Sequence, residues 1–566
     1  MILRSSCLAA IILSTAVIGA ANAQNVPTKF AIIDQNVDQK TLDRYNHTDQ
    51  GARLVPAAWL LALDAADGRG KFMNIDNLRR LGFIVDSVAT DEGNPHGWPV
   101  GFTVSDPKTS SGIPFAGINC AACHTGQIEY KGTAIRINGG QGMIDFSSFL
   151  GGMFGALLAT DNDPARRTKF FADAIKAGYP ADRMEGDFRA TIAGIRATPP
   201  GPGPTTVASF GRNDALNGLA SRVFGIELKV PANEKARNAP VSFPYLWDIW
   251  RLSWVQYNGF QPGWLPQGRN VGEVLGVFGK LNLVDPTSGA PNPEPLRWQT
   301  SLQLGNLIWM EETLRGLRAP TWPTEIFGPI DQAKADRGRE LFKTHCVQCH
   351  GIKELPNGTW DVTVVPLQRI GTDPNQATNW AGLSYDGSKL GIGKTTAYIA
   401  LPAVVNAVRK QLYADNKTPA SEQEGDVTHE APCGYKARPL IGVWATPPFL
   451  HNGSVRTLFD LLSDKRPAKF NMHSREYDPV NLGYTDEQTP NSFVLDTSIT
   501  GNSNAGHWFA NDGTRPGWIG PALPDADKYA LIEYLKAATY DNYPSEKRAK
   551  MIVMPCQGAI DWAQTK

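Results

Sequence analysis

Apolar positions recur at helical spacing in three stretches of the chain. Leu304, Leu307, Ile308 and Leu314 share one face, with Glu311 as the polar exception. Ala335, Gly338, Leu341 and Phe342 repeat that spacing and run straight into Cys346. Near the C-terminus, Leu531, Ile532 and Leu535 form an apolar face behind Pro524, and Asp525 is the expected N-cap. No region shows the sustained alternation of a strand-rich fold. The pattern predicts a mainly α protein in which one helix feeds the Cys346 region and a late helix packs against it.

Proline and glycine punctuate this pattern. Residues 198–204 read Thr-Pro-Pro-Gly-Pro-Gly-Pro and must be irregular, because proline lacks the amide donor and clashes inside a helix. Asp285 to Pro295 is a second loop. Arg318 to Ile330, with Pro320, Pro323 and Pro329, is the expected linker between an N-terminal part, 24–317, and a C-terminal part, 331–566. Two parts also suit the length, 566 residues.

The first 23 residues read as a signal peptide. Arg4 precedes a mostly apolar run from Leu8 to Ala20, and Ala21-Asn22-Ala23 supplies a small-x-small cleavage site. The run is short for a bilayer span, and no later stretch is long and apolar enough. The mature chain is expected to begin near Gln24, to be periplasmic or secreted, and to have no membrane span. Lys plus Arg balance Asp plus Glu at 55 each, so no basic excess points to nucleic acid or an anionic surface. Fifteen Trp, 41 Pro and 55 Gly add long loops and large aromatic contacts to the helical picture.

The chemistry lies in the cysteines, of which the full sequence has seven. Cys7 falls in the signal peptide. Four form Cys120-Ala-Ala-Cys123-His124 and Cys346-Val-Gln-Cys349-His350. Two cysteines one helical turn apart can both reach the vinyl groups along one side of a porphyrin, and the next residue can turn its imidazole to the iron. A zinc site drawn from both cysteine pairs is the rival reading, but it leaves the histidine after each pair unexplained. Two covalently bound c-type haems are therefore expected, held by Cys120, Cys123, Cys346 and Cys349, with His124 and His350 as axial ligands. Ca2+ is a further candidate cofactor, tied to no particular residues. Cys433 and Cys556 remain, and in an exported chain they are expected to bridge, with two free thiols as the alternative.

The sixth iron ligands decide function, since an iron with two protein ligands relays electrons and one with an open position binds dioxygen or peroxide. The remaining histidines are His47, His96, His345, His429, His451, His473 and His507.

At these residues the sequence resembles the dihaem cytochrome c peroxidase and MauG superfamily, and more closely its rubber-oxygenase branch. The matching stretches are 98–102 (Trp-Pro-Val-Gly-Phe), 119–127 around the first haem motif, 243–248 (Phe-Pro-Tyr-Leu-Trp-Asp), 270–274, 435–440 (Tyr-Lys-Ala-Arg-Pro-Leu), 444–454 and Gly506-His507. The resemblance implies two cytochrome c-like haem domains with long irregular loops. It implies His124 as the sole protein ligand of a reactive haem, and His350 with His507 on an inert one. His451, His473 and Met472 are the alternatives to His507, and His96 could close the first iron. Trp247 is implied between the haems, with Trp254, Tyr257 and Phe260 near it in sequence. The leading function is an oxygenase that binds dioxygen at the His124 haem and oxidises an apolar, alkene-type substrate. The alternatives are a hydrogen peroxide reductase served by a redox partner protein, and a plain electron carrier.

Overall fold

The computed structural model describes residues 27, 29–85, 93–197, 201–545, 553 and 556. The signal-peptide reading lies outside the described residues, as do residues 198–200 of the Pro-Gly run. Among the described residues no helix is long and apolar enough to cross a membrane.

The three periodic stretches form the expected helices, with informative departures. Leu304–Gly316 is helical, but Glu311 is buried and ion-paired with Arg269, whereas Ile308 is turned outward. Gln332–His345 and Asp525–Ala537 are helices packed on each other. Their approach depends on Gly338: a Cβ there would lie 1.9 Å from the Ala530 carbonyl oxygen, so no larger residue fits. Asp525 is the first helical residue rather than the cap, a position taken by Pro524. Further long helices cover Phe146–Asn162, Pro164–Lys176, Ala181–Ala197, Pro266–Gly276 and Ala397–Asp415.

The expectation of a mainly α fold of two cytochrome c-like haem domains is corrected. About 39% of the protein is helix and 16% strand, which makes a mixed α/β fold, and nothing in the backbone alone marks out a haem domain. The strand content was hidden because it is divided among many small sheets. Two are three-stranded and the rest among the described residues are two-stranded. Most strands are two to four residues long, too short to display an alternation in sequence. Two pairings bear on the site. Strand β1 (Thr125–Tyr130) leaves His124 and pairs antiparallel with β2 (Thr133–Asn138). Strand β3 (Thr363–Pro366) pairs with β4 (Gly434–Ala437), whose chain continues to Arg438.

One cluster of buried residues contains Trp247, Met310, Trp322, Phe342, Trp444 and Leu531. Segment 318–330 packs on it: Trp444 Nε1 donates to the Pro320 carbonyl at 3.0 Å and the Tyr540 hydroxyl accepts from Ala319 N–H at 2.9 Å. Cys433 and Cys556 form the expected disulfide, with Cα atoms 4.6 Å apart.

Candidate functional site: two cavities at the CxxCH motifs

Each motif forms one short helical turn. Over Cys120–Cys123 the Asn119 side chain caps the turn by accepting from Ala121 N–H at 3.0 Å, and its amide donates to the Tyr45 and Thr48 carbonyls. His124 N–H returns to the Cys120 carbonyl at 2.9 Å. Gly101, from the matching stretch 98–102, lets this turn come close: a Cβ there would sit 2.1 Å from Ala122 N. In the second motif His350 N–H returns to the Cys346 carbonyl, again at 2.9 Å. None of the four motif cysteines is in a disulfide. Among the described residues no group of three or more His, Cys, Asp or Glu is arranged around a metal-sized point, so the two cysteine pairs do not converge as the zinc reading requires.

Each motif opens on its own cavity. The first, about 560 Å³, is lined by Cys120 and His124; the second, about 530 Å³, by Cys346, Cys349 and His350. Both walls are mainly apolar, from Leu150, Leu216 and Phe260 in the first and Phe342, Leu458 and Leu531 in the second. Such volumes are typical of enclosed cofactor sites.

Both motif histidines are oriented by backbone carbonyls. His124 Nδ1 meets the Pro244 carbonyl at 2.6 Å, and His350 Nδ1 meets the Arg438 carbonyl at 2.8 Å. An Nδ1–H donated in this way leaves Nε2 as the ligating nitrogen. Burial pushes His124 down to about 4, so its imidazole is neutral and its lone pair free.

Across the second cavity stands His507. Its ring centroid is 6.3 Å from that of His350, with the planes at 61°. Two imidazoles sharing one metal ion at about 2 Å each hold their ring centres roughly 6 Å apart, so the pair has the separation of axial ligands. His507 has φ 56°, and Gly506 before it has φ 82° and leaves no room for a Cβ, which would lie 2.3 Å from the Ile370 carbonyl oxygen. Arg466 pins this turn by donating to the Gly506 and His507 carbonyls at 2.9 and 3.0 Å. Burial pushes His507 down to about 3.

The other candidate ligands separate by position. His451 lines the second cavity but lies flat on Tyr435, with ring centroids 4.0 Å apart. His473 and Met472 are absent from that wall; His473 Nδ1 instead meets Thr489 Oγ1 at 3.1 Å. His47 is occupied by the Phe102 carbonyl and Asn94, and His96 is exposed; neither lines the first cavity. Trp247 lines neither cavity. It is buried, donates to the Ile441 carbonyl at 3.1 Å and stacks on Tyr245 at 4.2 Å, and Tyr245 is the ring that faces the second cavity.

Sequence reasoning missed the wall between the cavities. Lys436 in β4 and Arg438 just beyond its end, two residues apart, line both. Lys436 is half-buried on the cavity wall, and its ammonium has no carboxylate partner among the described residues; burial and the nearby Arg438 push it well below the ordinary lysine range. A buried cation without an anion is costly. A haem brings two propionates, and two cations shared by two haem-sized cavities fit such groups. Only the period-two spacing of Lys436 and Arg438 hinted at a shared face. Glu273 was also missed. Its carboxylate lies 3.3 Å from Cys120 Sγ, with burial pushing its pKa upward, beside the buried Arg269–Glu311 ion pair.

These sites define a c-type cytochrome-like protein, and the comparisons agree. Residues 434–471, which carry β4, Lys436, Arg438 and His451, match the family described as RoxA-like, cytochrome c-like. That match supports the rubber-oxygenase resemblance and does not reach the wider peroxidase and MauG superfamily. The chain belongs to the family of the uncharacterized protein y4iJ of Sinorhizobium fredii: the two are 35% identical over 562 residues, spanning 90% of this chain and 93% of that protein. The uncharacterized protein y4iM of the same bacterium is 32% identical over 311 residues, 52% of this chain and 63% of y4iM.

Proposed function

We propose that the protein is an exported dihaem c-type oxidoreductase. One haem is held by Cys120, Cys123 and His124. The other is held by Cys346, Cys349, His350 and His507. The reading rests above all on one asymmetry: His350 has an imidazole facing it at axial-ligand separation, whereas among the described residues the ring in contact with His124 is Phe243 and no imidazole faces it at that separation. Two imidazoles would fill both faces of an iron, so His350 and His507 would suit the second site to relaying electrons and leave chemistry to the first.

The leading reaction is oxygenation of an apolar alkene-type substrate. Haem supplies the redox chemistry with dioxygen. The protein's part is to hold the ring, orient His124 through the Pro244 carbonyl, and keep a water-poor wall of Phe260, Leu216 and Leu401 against the substrate. One observation favours hydrogen peroxide reduction as a second reading. A peroxide reductase needs an acid–base group near its open iron, and half-buried Glu273 is a carboxyl group on the first cavity wall. Electrons would then arrive from a redox partner protein through the second haem.

Intact mass and spectra of the as-isolated protein test the proposal. Two covalent haems are expected, one low-spin and one that binds carbon monoxide after reduction. Uptake of dioxygen with an alkene substrate supports the oxygenase; turnover of peroxide with a reduced carrier protein supports the alternative. Two low-spin irons that never bind carbon monoxide would make the protein an electron carrier.

A further inference from the structure

The His124 cavity contains one more histidine. His429 lines the same wall system as Cys120 and His124. Its ring meets Phe260 edge-on, with centroids 4.8 Å apart at 90°, and lies 5.7 Å from Trp380. The next residue fixes the backbone on both sides. Glu430 N–H donates to the Phe260 carbonyl at 2.9 Å, and Trp380 Nε1 donates to the Glu430 carbonyl at 2.9 Å. A few residues further on, Cys433 is bonded to Cys556. The imidazole is therefore held by two aromatic rings, two hydrogen bonds to its neighbour and a nearby crosslink.

The polar atoms of the His429 ring are its two nitrogens. Nδ1 is sealed from solvent and has no hydrogen-bond partner among the described residues. Burial alone pushes the group down to about 3, so the ring is uncharged at neutral pH. A sealed nitrogen with nothing to donate to suits the bare lone pair of the neutral ring, which puts the proton on Nε2. With Nδ1 sealed, Nε2 is the nitrogen left to serve the cavity.

We propose that His429 serves the reaction face at the His124 site, where its neutral imidazole donates a hydrogen bond to the small oxygen ligand. This rests on the reading of that site as an open haem. Other polar groups also line the cavity, among them Arg222, which pairs with Glu227, and Arg269, which pairs with Glu311. Glu273 sits against Cys120, and Lys436 and Arg438 lie in the wall shared with the second cavity. Phe260, which packs on His429, gives an apolar substrate a surface but offers no hydrogen bond to dioxygen. A neutral N–H donor adds directional stabilisation without bringing a net charge into an apolar chamber.

The test uses the intact holoprotein, with carbon monoxide and dioxygen as probes. Wild type is compared with His429→Leu, His429→Phe and His429→Gln. The Phe variant keeps a ring against Phe260 and Trp380, so it controls for lost packing. His429→Leu and His429→Phe are expected to raise the carbon monoxide stretching frequency and to speed dioxygen release about tenfold, as for one lost hydrogen bond. His429→Gln retains an N–H donor and should recover most of both. Haem content by mass should stay at the wild-type level throughout. Unchanged frequency and release rate in fully loaded Leu and Phe variants would overturn the proposal. So would a wild type that binds no carbon monoxide while the Leu variant does, since His429 would then be an iron ligand. A wild-type protein with no haem at Cys120 and Cys123 would instead bring down the reading of the site itself, and mass alone would reveal it.

Discussion

Arg438 Nη1 donates to the Tyr245 carbonyl at 3.0 Å while its guanidinium lies 3.1 Å above the Tyr245 ring. The pair joins the two sites. Pro244, adjacent to Tyr245, orients His124, and the carbonyl of Arg438 itself orients His350. The Tyr245 hydroxyl completes the tie at the Pro439 carbonyl, 2.5 Å away. Two hydrogen-bonded segments thereby connect the backbone carbonyls that orient the two motif histidines.

Arg438→Gln should lower the reduction potentials of both haems. Arg438 lines both cavities, and removing a cation favours the ferric state at each. A drop on the order of 50 mV is expected for a unit charge at partly screened distance. Arg438→Lys, which keeps the charge, should restore most of it. Spectroelectrochemical titration measures both, and a shift confined to one haem would refute a shared role.

His507→Ala should convert the low-spin iron to high spin. The 6.3 Å separation from His350 makes His507 the group placed to close that iron. Electron paramagnetic resonance should lose its low-spin signal, while carbon monoxide binding at the first haem stays within about twofold. A retained low-spin signal would shift the assignment to His451, which lines the same cavity.

Breaking the disulfide should destabilise the tail. Cys433 and Cys556 are separated by 123 residues, and closing a loop of that size is worth on the order of 4 kcal/mol in the chain-entropy model. Cys433→Ser and Cys556→Ser should each lower the urea midpoint, and the double variant should cost no more than either single change. Additive losses would mean that the two sulfurs contribute separately.

Stability should fall as the solution is acidified. His429 and His451 are pushed by burial to about 3 and His473 to about 4, from an ordinary value of 6.5. Between pH 6.5 and those values the unfolded chain binds protons that the folded chain does not. The stabilisation from their neutral burial is thus complete above pH 6.5 and is lost progressively below it. Urea midpoints at pH 7.5, 5.5 and 4.5 should decline in that order, and His451→Gln should flatten the decline. A midpoint unchanged from pH 7.5 to 4.5 would contradict the burial of these rings.

The sequence alone determined what is local. Cysteine spacing and the following histidine form one helical turn, so both motifs were legible without a fold. The helices at 304–316, 332–345 and 525–537 were legible for the same reason, because a periodic apolar face is written within one segment. The small sheets were not legible, because strands of two to four residues take their partners from distant parts of the chain and leave no period of their own. The sixth-ligand question shows the limit most clearly. Only the resemblance favoured His507 over His451 and His473; folding is what sets His507 opposite His350, flattens His451 on Tyr435 and gives His473 to Thr489. The same holds for Lys436 and Arg438, whose charge acquires meaning only because the tertiary structure makes their strand the wall of two cavities. Covalent spacing fixes where a porphyrin can be tied, whereas packing between distant segments fixes what stands on its other face.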